Sequence, residues 1–109
     1  MVEIVRLTDQ TWKKAVNTAL PLVSHRNVEI GILTLSSGER LPEEGYSSHE
    51  DNEEYALILS GTVTFCTEND RYELCEGDLP YNSKGTRHYT INETNSLAKL
   101  LWILSPGRK

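Results

Sequence analysis

Positive charge is scarce in this sequence, which has 11 lysines and arginines against 16 aspartates and glutamates and a formal net charge of −5. Proteins that bind a phosphate backbone need clustered cations to neutralise it, so the composition argues against a nucleic-acid partner. Long apolar runs are also missing, since no stretch approaches the ~20 residues that span a bilayer. The first residues lack the basic flank and apolar stretch of a signal peptide. We therefore expect a cytoplasmic protein with neither nucleic acid nor membrane as a partner.

Cysteine is equally scarce, with two in 109 residues. Cys66 and Cys75 fall on the two arms of a predicted hairpin that turns near residues 68–70. This register places Cys66 opposite Arg71 or Tyr72, which makes a disulfide to Cys75 geometrically awkward. We expect two reduced thiols, as is usual in the cytoplasm. A chain of this length buries a core without disulfides or a metal, so any bound metal would serve chemistry.

The length corresponds to a single domain, residues 1–109. Residues 2–7 alternate apolar and polar side chains, which predicts a strand. A short amphipathic helix is predicted next, with Thr8 or Asp9 as its cap. We expect this N-terminal strand and helical segment to occupy residues 1–24. The apolar residues at helical spacing are Trp12, Ala15, Val16, Ala19 and Leu20.

From residue 28 onward the apolar residues recur with a period of two, which is typical of half-buried strands. Turn-forming residues separate these runs, and no helical pattern lies between them. Consecutive strands without intervening helices predict an all-β antiparallel sandwich or barrel. The strand-like runs are residues 28–35, 55–59, 62–66, 71–75, 87–91 and 97–104.

One glutamate lies where the strand pattern turns it toward the interior. Glu54 opens a predicted strand, and its neighbours on the same face are Ala56 and Ile58. Burying a carboxylate is costly unless it is paired or bound to a cation. His49 precedes Glu54 by five positions, and His88 lies on a later predicted strand. Two imidazoles and one carboxylate suit a divalent transition metal and leave coordination positions open, so these three residues are candidate ligands.

The spacing of these residues and of nearby glycines resembles the two paired motifs of the cupin superfamily. The motifs read His49-x4-Glu54-x6-Gly61 and Gly77-x5-Ser83-x-Gly85-x2-His88-x3-Asn92. The resemblance covers about residues 28–105 and implies a cupin-type antiparallel β-barrel, also called a double-stranded β-helix or jelly roll. Residues 49–61, 76–78 and 100–106 also look like the C-terminal cupin sensor domain of helix-turn-helix regulators.

The chain departs from the cupin pattern at Ser47, at Ser83, where the family favours proline, and at Gly38, which precedes Ser47 by about three residues more than usual. Metal-binding cupins usually carry His-x-His in the first motif, whereas Ser47 stands at the position of the first histidine. The remaining set of two histidines and one carboxylate resembles the iron sites of some cupin oxygenases. Three groups on the preceding loop, Glu43, Glu44 and Tyr46, are candidates for the vacant position. The pattern does not choose between iron, manganese, nickel and zinc.

The resemblance implies a small metal-dependent cupin enzyme as the first functional hypothesis. The metal would polarise a small polar metabolite, and a loop carboxylate would act as a general base. Isomerase, lyase and oxygenase chemistry all stay open. The second hypothesis is a non-catalytic module that binds a small-molecule effector, which the likeness to regulator domains and the loss of a histidine at Ser47 support. Unpaired sheet edges and a first strand free for exchange predict a homodimer.

Overall fold

Two antiparallel sheets make up most of the computed structural model, which describes residues 1–108. The all-β prediction is therefore confirmed. The five-stranded sheet has the order β1 (Leu20–Ser24), β2 (Glu29–Leu35), β9 (Ala98–Ser105), β4 (Glu53–Ser60) and β7 (Tyr81–Asn82). The four-stranded sheet has the order β3 (Arg40–Leu41), β8 (His88–Ile91), β5 (Thr62–Thr67) and β6 (Arg71–Cys75).

Strand β9 provides the central row of the core. Successive side chains of a strand point to opposite faces, and every second residue of β9 is at most 6% exposed. These buried residues pack against apolar side chains from both sheets, so the core lies between the sheets. The core residues are Leu33, Leu35, Ile58, Val63, Ala98, Leu100, Trp102 and Leu104.

The helix α1 (Asp9–Lys14) begins where the sequence predicts. Thr8 is its N-cap, and the Thr8 side chain accepts a hydrogen bond from the Thr11 backbone in a capping box. Within residues 1–108, no helix has the length and apolar character needed to cross a membrane.

The predicted continuation of this helix to Leu20 is wrong. Asn17 adopts a left-handed conformation with φ 55°, which ends helical geometry. The Asn17 N–H donates to the Thr34 carbonyl at 2.7 Å, and the Thr34 N–H donates to the Ala15 carbonyl at 2.9 Å. Pairing with β2 therefore takes over the backbone groups that a longer helix would use, and Leu20 opens β1 instead.

The predicted strand at residues 2–7 is also wrong. Val2 is 83% exposed and Ile4 is 68% exposed, and residues 2–7 have no strand assignment. A strand needs a neighbouring strand for its backbone N–H and C=O groups. None of the described residues 1–108 pairs with this segment, so the alternating pattern has no sheet to join.

The hairpin of β5 and β6 has the predicted register. Cys66 pairs with Arg71, whereas Cys75 pairs with Thr62 at the other end of the hairpin. Cys66 is buried, Cys75 is exposed, and both are free thiols. The expectation of two unpaired cysteines is confirmed.

Candidate metal centre and ligand cavity

One row of paired residues across the five-stranded sheet organises the site. Leu104 on β9 pairs with Glu29 on β2 and with Glu54 on β4, and Glu54 pairs in turn with Asn82 on β7. Directly paired residues share a face of the sheet, and Leu104 is 2% exposed in the core. Glu54 therefore points inward, as its strand position predicts.

Two histidines approach Glu54 from different parts of the chain. His88 begins β8 in the opposite sheet, and its Nε2 lies 3.1 Å from Glu54 Oε1. His49 lies on the loop before β4, with its Nε2 3.9 Å from the same oxygen. The His49 carbonyl accepts a hydrogen bond of 2.9 Å from the Gly85 N–H, which ties this loop to the one before β8. Among residues 1–108, these three side chains form the one cluster suited to a metal ion, with ligand atoms within 4.8 Å of one another.

A backbone carbonyl orients the His88 ring. His88 Nδ1 lies 2.9 Å from the Thr86 oxygen, which can only accept, so Nδ1 carries a proton and Nε2 faces Glu54. Asn82 Nδ2 donates to Glu54 Oε1 at 3.4 Å, and it also lies 3.0 Å from His88 Nδ1, which is a contact between two donors rather than a hydrogen bond. In a neutral His88, Nε2 would present a lone pair to a carboxylate oxygen 3.1 Å away. A proton or a metal ion between these two atoms removes that repulsion.

Burial and charge oppose each other at all three groups. Burial lowers the pKa of His88, but hydrogen bonds to Glu54 and to the Thr86 carbonyl outweigh burial, and the net pKa is raised. Burial also lowers the pKa of His49, and there it outweighs the attraction of Glu54. Burial raises the pKa of Glu54, but the His88 hydrogen bond and the histidine charges reverse this and leave it lowered. At neutral pH Glu54 is therefore anionic and His49 neutral, as metal ligation requires.

The two histidine–carboxylate distances fit a divalent transition metal. Two ligands of one ion lie no further apart than twice a bond of ~2.1 Å, or about 4.2 Å, and the separations of 3.1 and 3.9 Å from Glu54 Oε1 are below that limit. The hydrogen bond from His88 Nδ1 to the Thr86 carbonyl is the kind of support that orients a metal-binding imidazole.

Position 47 faces this cluster. Ser47 pairs with His88 in an isolated bridge, with hydrogen bonds of 2.8 and 2.9 Å between their backbones, and its side chain lines the cavity. The expectation that Glu43, Glu44 or Tyr46 approaches the vacant ligand position is wrong. All three are exposed, and Tyr46 packs edge-on against Tyr89, with ring centroids 5.6 Å apart. The loop turns outward because its aromatic residue finds a partner outside the cavity.

The cluster lies in a cavity of about 240 Å³ between the two sheets. Its walls are mostly apolar, and Phe65 stacks on His88 with ring centroids 5.2 Å apart. Sequence reasoning missed two polar residues that line it, Asn82 and Arg108. Asn82 belongs to a strand of two residues, and Arg108 follows the last strand, so neither stands in a pattern that marks it. The polar lining residues are Ser47, His49, Glu54, Asn82, His88, Thr90 and Arg108.

Comparison with known proteins agrees with this architecture. The chain is similar to an uncharacterized conserved protein with a double-stranded β-helix domain from Klebsiella pneumoniae, with a TM-score of 0.76, 13% identity, and coverage of 96% of this chain and 93% of that one. It is similar to KdgF from Halomonas sp., with a TM-score of 0.70, 16% identity, and coverage of 82% and 77%.

A third similar structure is a cupin-superfamily sugar phosphate isomerase from Silicibacter pomeroyi, with a TM-score of 0.65 and 16% identity. The match covers 72% of this chain and 50% of the isomerase. At these identities the likenesses concern the fold. No curated protein matches the sequence. Residues 31–104 match the family model described as the cupin domain, and the chain belongs to the cupin family.

Proposed function

We propose that this cupin binds a divalent transition metal through His49, Glu54 and His88 and acts as a metal-dependent enzyme on a small molecule. The observation that carries the proposal is the approach of two imidazole nitrogens to one carboxylate oxygen, at 3.1 and 3.9 Å, within a cavity of about 240 Å³. A bound metal would supply Lewis-acid polarisation of a substrate oxygen. In this proposal, residues 1–109 form a single cupin domain whose barrel comprises residues 28–105.

The residues of this chain have separate tasks in the proposed site. His49, Glu54 and His88 hold the ion, while the Thr86 carbonyl and the Asn82 side chain fix the orientation of His88 and Glu54. The apolar walls keep water away from the bound molecule. Glu54 is the one carboxylate among the described lining residues, so a general base from the acidic loop is not part of the proposal.

A metal-binding experiment with a charge-removing variant tests this function. Protein purified without chelators is analysed for iron, manganese, nickel and zinc, and its melting temperature is measured with and without each ion. We expect a metal-dependent rise in melting temperature for the wild type that Glu54→Gln loses, because glutamine keeps the volume but removes the negative charge.

Glu53→Gln is the matched control. Glu53 adjoins Glu54 but accepts a hydrogen bond from the Tyr81 hydroxyl outside the cavity, so this variant should respond to metal as the wild type does. Equal metal responses in the wild type and in Glu54→Gln would contradict the proposed ligand set.

A non-catalytic effector-binding module is the second candidate. Two observations favour it: Ser47 stands where a further imidazole would face the site, and His88 and Glu54 can satisfy each other as a hydrogen-bonded pair at 3.1 Å without a metal. A sensor domain of the kind attached to helix-turn-helix regulators would behave in this way. Absence of metal from the purified protein, with melting shifts from small molecules alone, would favour this candidate.

A homodimer in the cytoplasm completes the proposal. The apolar residues Val2, Ile4, Val5 and Leu7 are between 41% and 83% exposed, and β1 is an edge strand of its sheet. An exposed apolar segment and an open strand edge each support association with a second copy. The two free cysteines support a reducing compartment.

A further inference from the structure

An arginine outside the metal cluster also lines the cavity. The Arg108 guanidinium donates to Glu29 through Nε at 2.9 Å and through Nη2 at 2.8 Å. Its Cζ lies 6.0 Å from the ring centroid of Trp102, which is another cavity wall. Glu29 is 6% exposed, whereas the Arg108 side chain is 47% exposed. The buried Glu29 carboxylate therefore fixes the position of the Arg108 guanidinium, which stays partly exposed where it lines the cavity.

The backbone before this arginine is anchored. Asn52 Nδ2 donates to the Pro106 carbonyl at 2.5 Å, and the Gly107 N–H donates to the Arg26 carbonyl at 3.0 Å. A Cβ on Gly107 would lie 2.0 Å from the His25 carbonyl oxygen, so this glycine is packed directly against the turn before β2. Packing therefore fixes where the arginine enters the cavity.

The guanidinium keeps hydrogen-bonding capacity for a further partner. An arginine has five N–H donors in a planar fork, and Glu29 accepts two of them. Among residues 1–108, Arg108 has no other hydrogen-bond acceptor. The remaining donors match the two oxygens of a carboxylate, which arginine binds in a bidentate manner.

Register places this cation within reach of the metal cluster. Glu29 and Glu54 both pair with Leu104, so they lie two strand spacings apart, or about 10 Å, on the same inner face. Leu104 lies between them, and most of the other residues that line the cavity are also apolar. A molecule bound between Arg108 and the metal cluster therefore meets a cation on one side, the cluster on the other and hydrocarbon surface around it.

We infer that the cavity selects a small organic carboxylate with an apolar body, and that Arg108 is the residue that binds its carboxylate group. The inference rests on the proposed use of the cavity as a ligand site, but it does not require a bound metal. It favours compact aromatic or aliphatic acids over polyhydroxylated ligands such as sugars, because most of the lining is apolar and hydroxyl groups that face it would be buried without hydrogen-bond partners.

The test compares benzoate with benzamide, two probes of nearly equal shape that differ in charge. Binding of each to the full chain is measured by calorimetric titration, once with excess chelator and once with Mn²⁺. We expect benzoate to bind the wild type at least about tenfold more tightly than benzamide, as a charge-assisted hydrogen bond provides. Acetate, which has the charge without the apolar body, should bind at least about tenfold more weakly than benzoate.

Arg108→Gln should remove the preference for benzoate, and Arg108→Lys should retain part of it because the charge remains. Arg26→Gln is the matched control, since Arg26 is exposed on the adjacent turn and does not line the cavity. It should bind both probes as the wild type does. Melting temperatures of all variants establish that they are folded.

Three outcomes would overturn the inference: no measurable benzoate binding to the wild type, equal binding of benzoate and benzamide, or an unchanged preference in Arg108→Gln. Direct titration of Mn²⁺ into the same proteins separates this result from the metal proposal. Failure to bind Mn²⁺ together with an Arg108-dependent preference for benzoate would refute the metal site and support the carboxylate site.

Discussion

Ser47 is the residue at which this chain departs from the two-histidine first motif of metal-binding cupins. Its backbone pairs with His88, and its side chain lines the cavity beside the proposed ligands. A hydroxyl at this position supplies no imidazole nitrogen, so the metal would be held by three side chains. The consequence is a site whose affinity one substitution can raise.

Ser47→His should increase the affinity for Mn²⁺ or Zn²⁺ by about tenfold or more, which corresponds to ~1.4 kcal/mol, because a further neutral imidazole joins the ligand set. Calorimetric titration of the metal measures the change. Ser48→His is the control, since Ser48 is exposed and its hydroxyl hydrogen-bonds to Glu50 at 3.3 Å. A gain of equal size in both variants would mean that position 47 does not face the ion.

Metal binding should weaken as the pH falls. Burial lowers the pKa of His88, but its hydrogen bonds to Glu54 and Thr86 raise it more, so the net pKa lies above the ordinary histidine value. Below this raised pKa the imidazolium holds a proton where the metal would bind. The apparent Kd for Mn²⁺, measured from about pH 8 to about pH 6, should therefore rise toward the acid end. A constant Kd over this range would argue against ligation by His88.

At the scale of secondary-structure elements, the close packing of β1, β2 and β9 requires a residue without a side chain at Gly31. A Cβ there would lie 2.1 Å from the Trp102 ring and 2.3 Å from the Leu20 carbonyl oxygen. Gly31→Ala should therefore lower the free energy of unfolding by about 3 kcal/mol or more, through overpacking. Urea denaturation measures this loss.

Gly38→Ala is the matched control for this glycine. Gly38 has a φ of 78°, and nothing lies within 4 Å of an added Cβ. Gly38→Ala should therefore lower the free energy of unfolding only by the strain of a left-handed backbone, about 1 kcal/mol. An equal loss of stability in the two variants would show that the Trp102 side chain can move enough to accommodate the added methyl group.

Strand length explains which elements could be predicted from the sequence. The strands β2, β4, β5, β6, β8 and β9 contain four to eight residues, enough for alternation to appear. Strands β3 and β7 contain two residues each and leave no pattern. β1 contains Pro21, which suggests the end of a helix but is also tolerated on an edge strand. The helix ends early because β2 competes for its backbone.

The residues of the candidate site also differ in whether a sequence pattern could predict them. Glu54 could be predicted because strand parity turns it inward, and the cupin-like spacing indicated His49 and His88. Arg108 could not be predicted, because it reaches the cavity through packing of the segment after β9 against a distant turn. Contacts of that kind depend on tertiary structure and leave no periodic signal in the sequence.

At the scale of the whole molecule, the exposed N-terminal segment makes association testable. Light scattering coupled to size-exclusion chromatography should give the mass of two chains for the wild type. Replacing Val2 and Ile4 by aspartate should shift the protein toward one chain, because charged side chains oppose burial of this segment. Replacing the exposed Leu97 by aspartate is the control and should leave the mass unchanged. A monomeric wild type would contradict the proposed homodimer.

The central place of β9 also sets an order of events during synthesis. β9 lies between β2 and β4, although it comes last in chain order among the strands described in residues 1–108. The hairpin of β5 and β6 joins neighbouring segments and can form while the ribosome is still translating the chain. The larger sheet cannot close until residues 98–105 have emerged, and until then β2 and β4 expose unpaired backbone edges and apolar faces. Pairing between such distant segments is slow, so the nascent chain is most exposed to aggregation just before its last strand arrives.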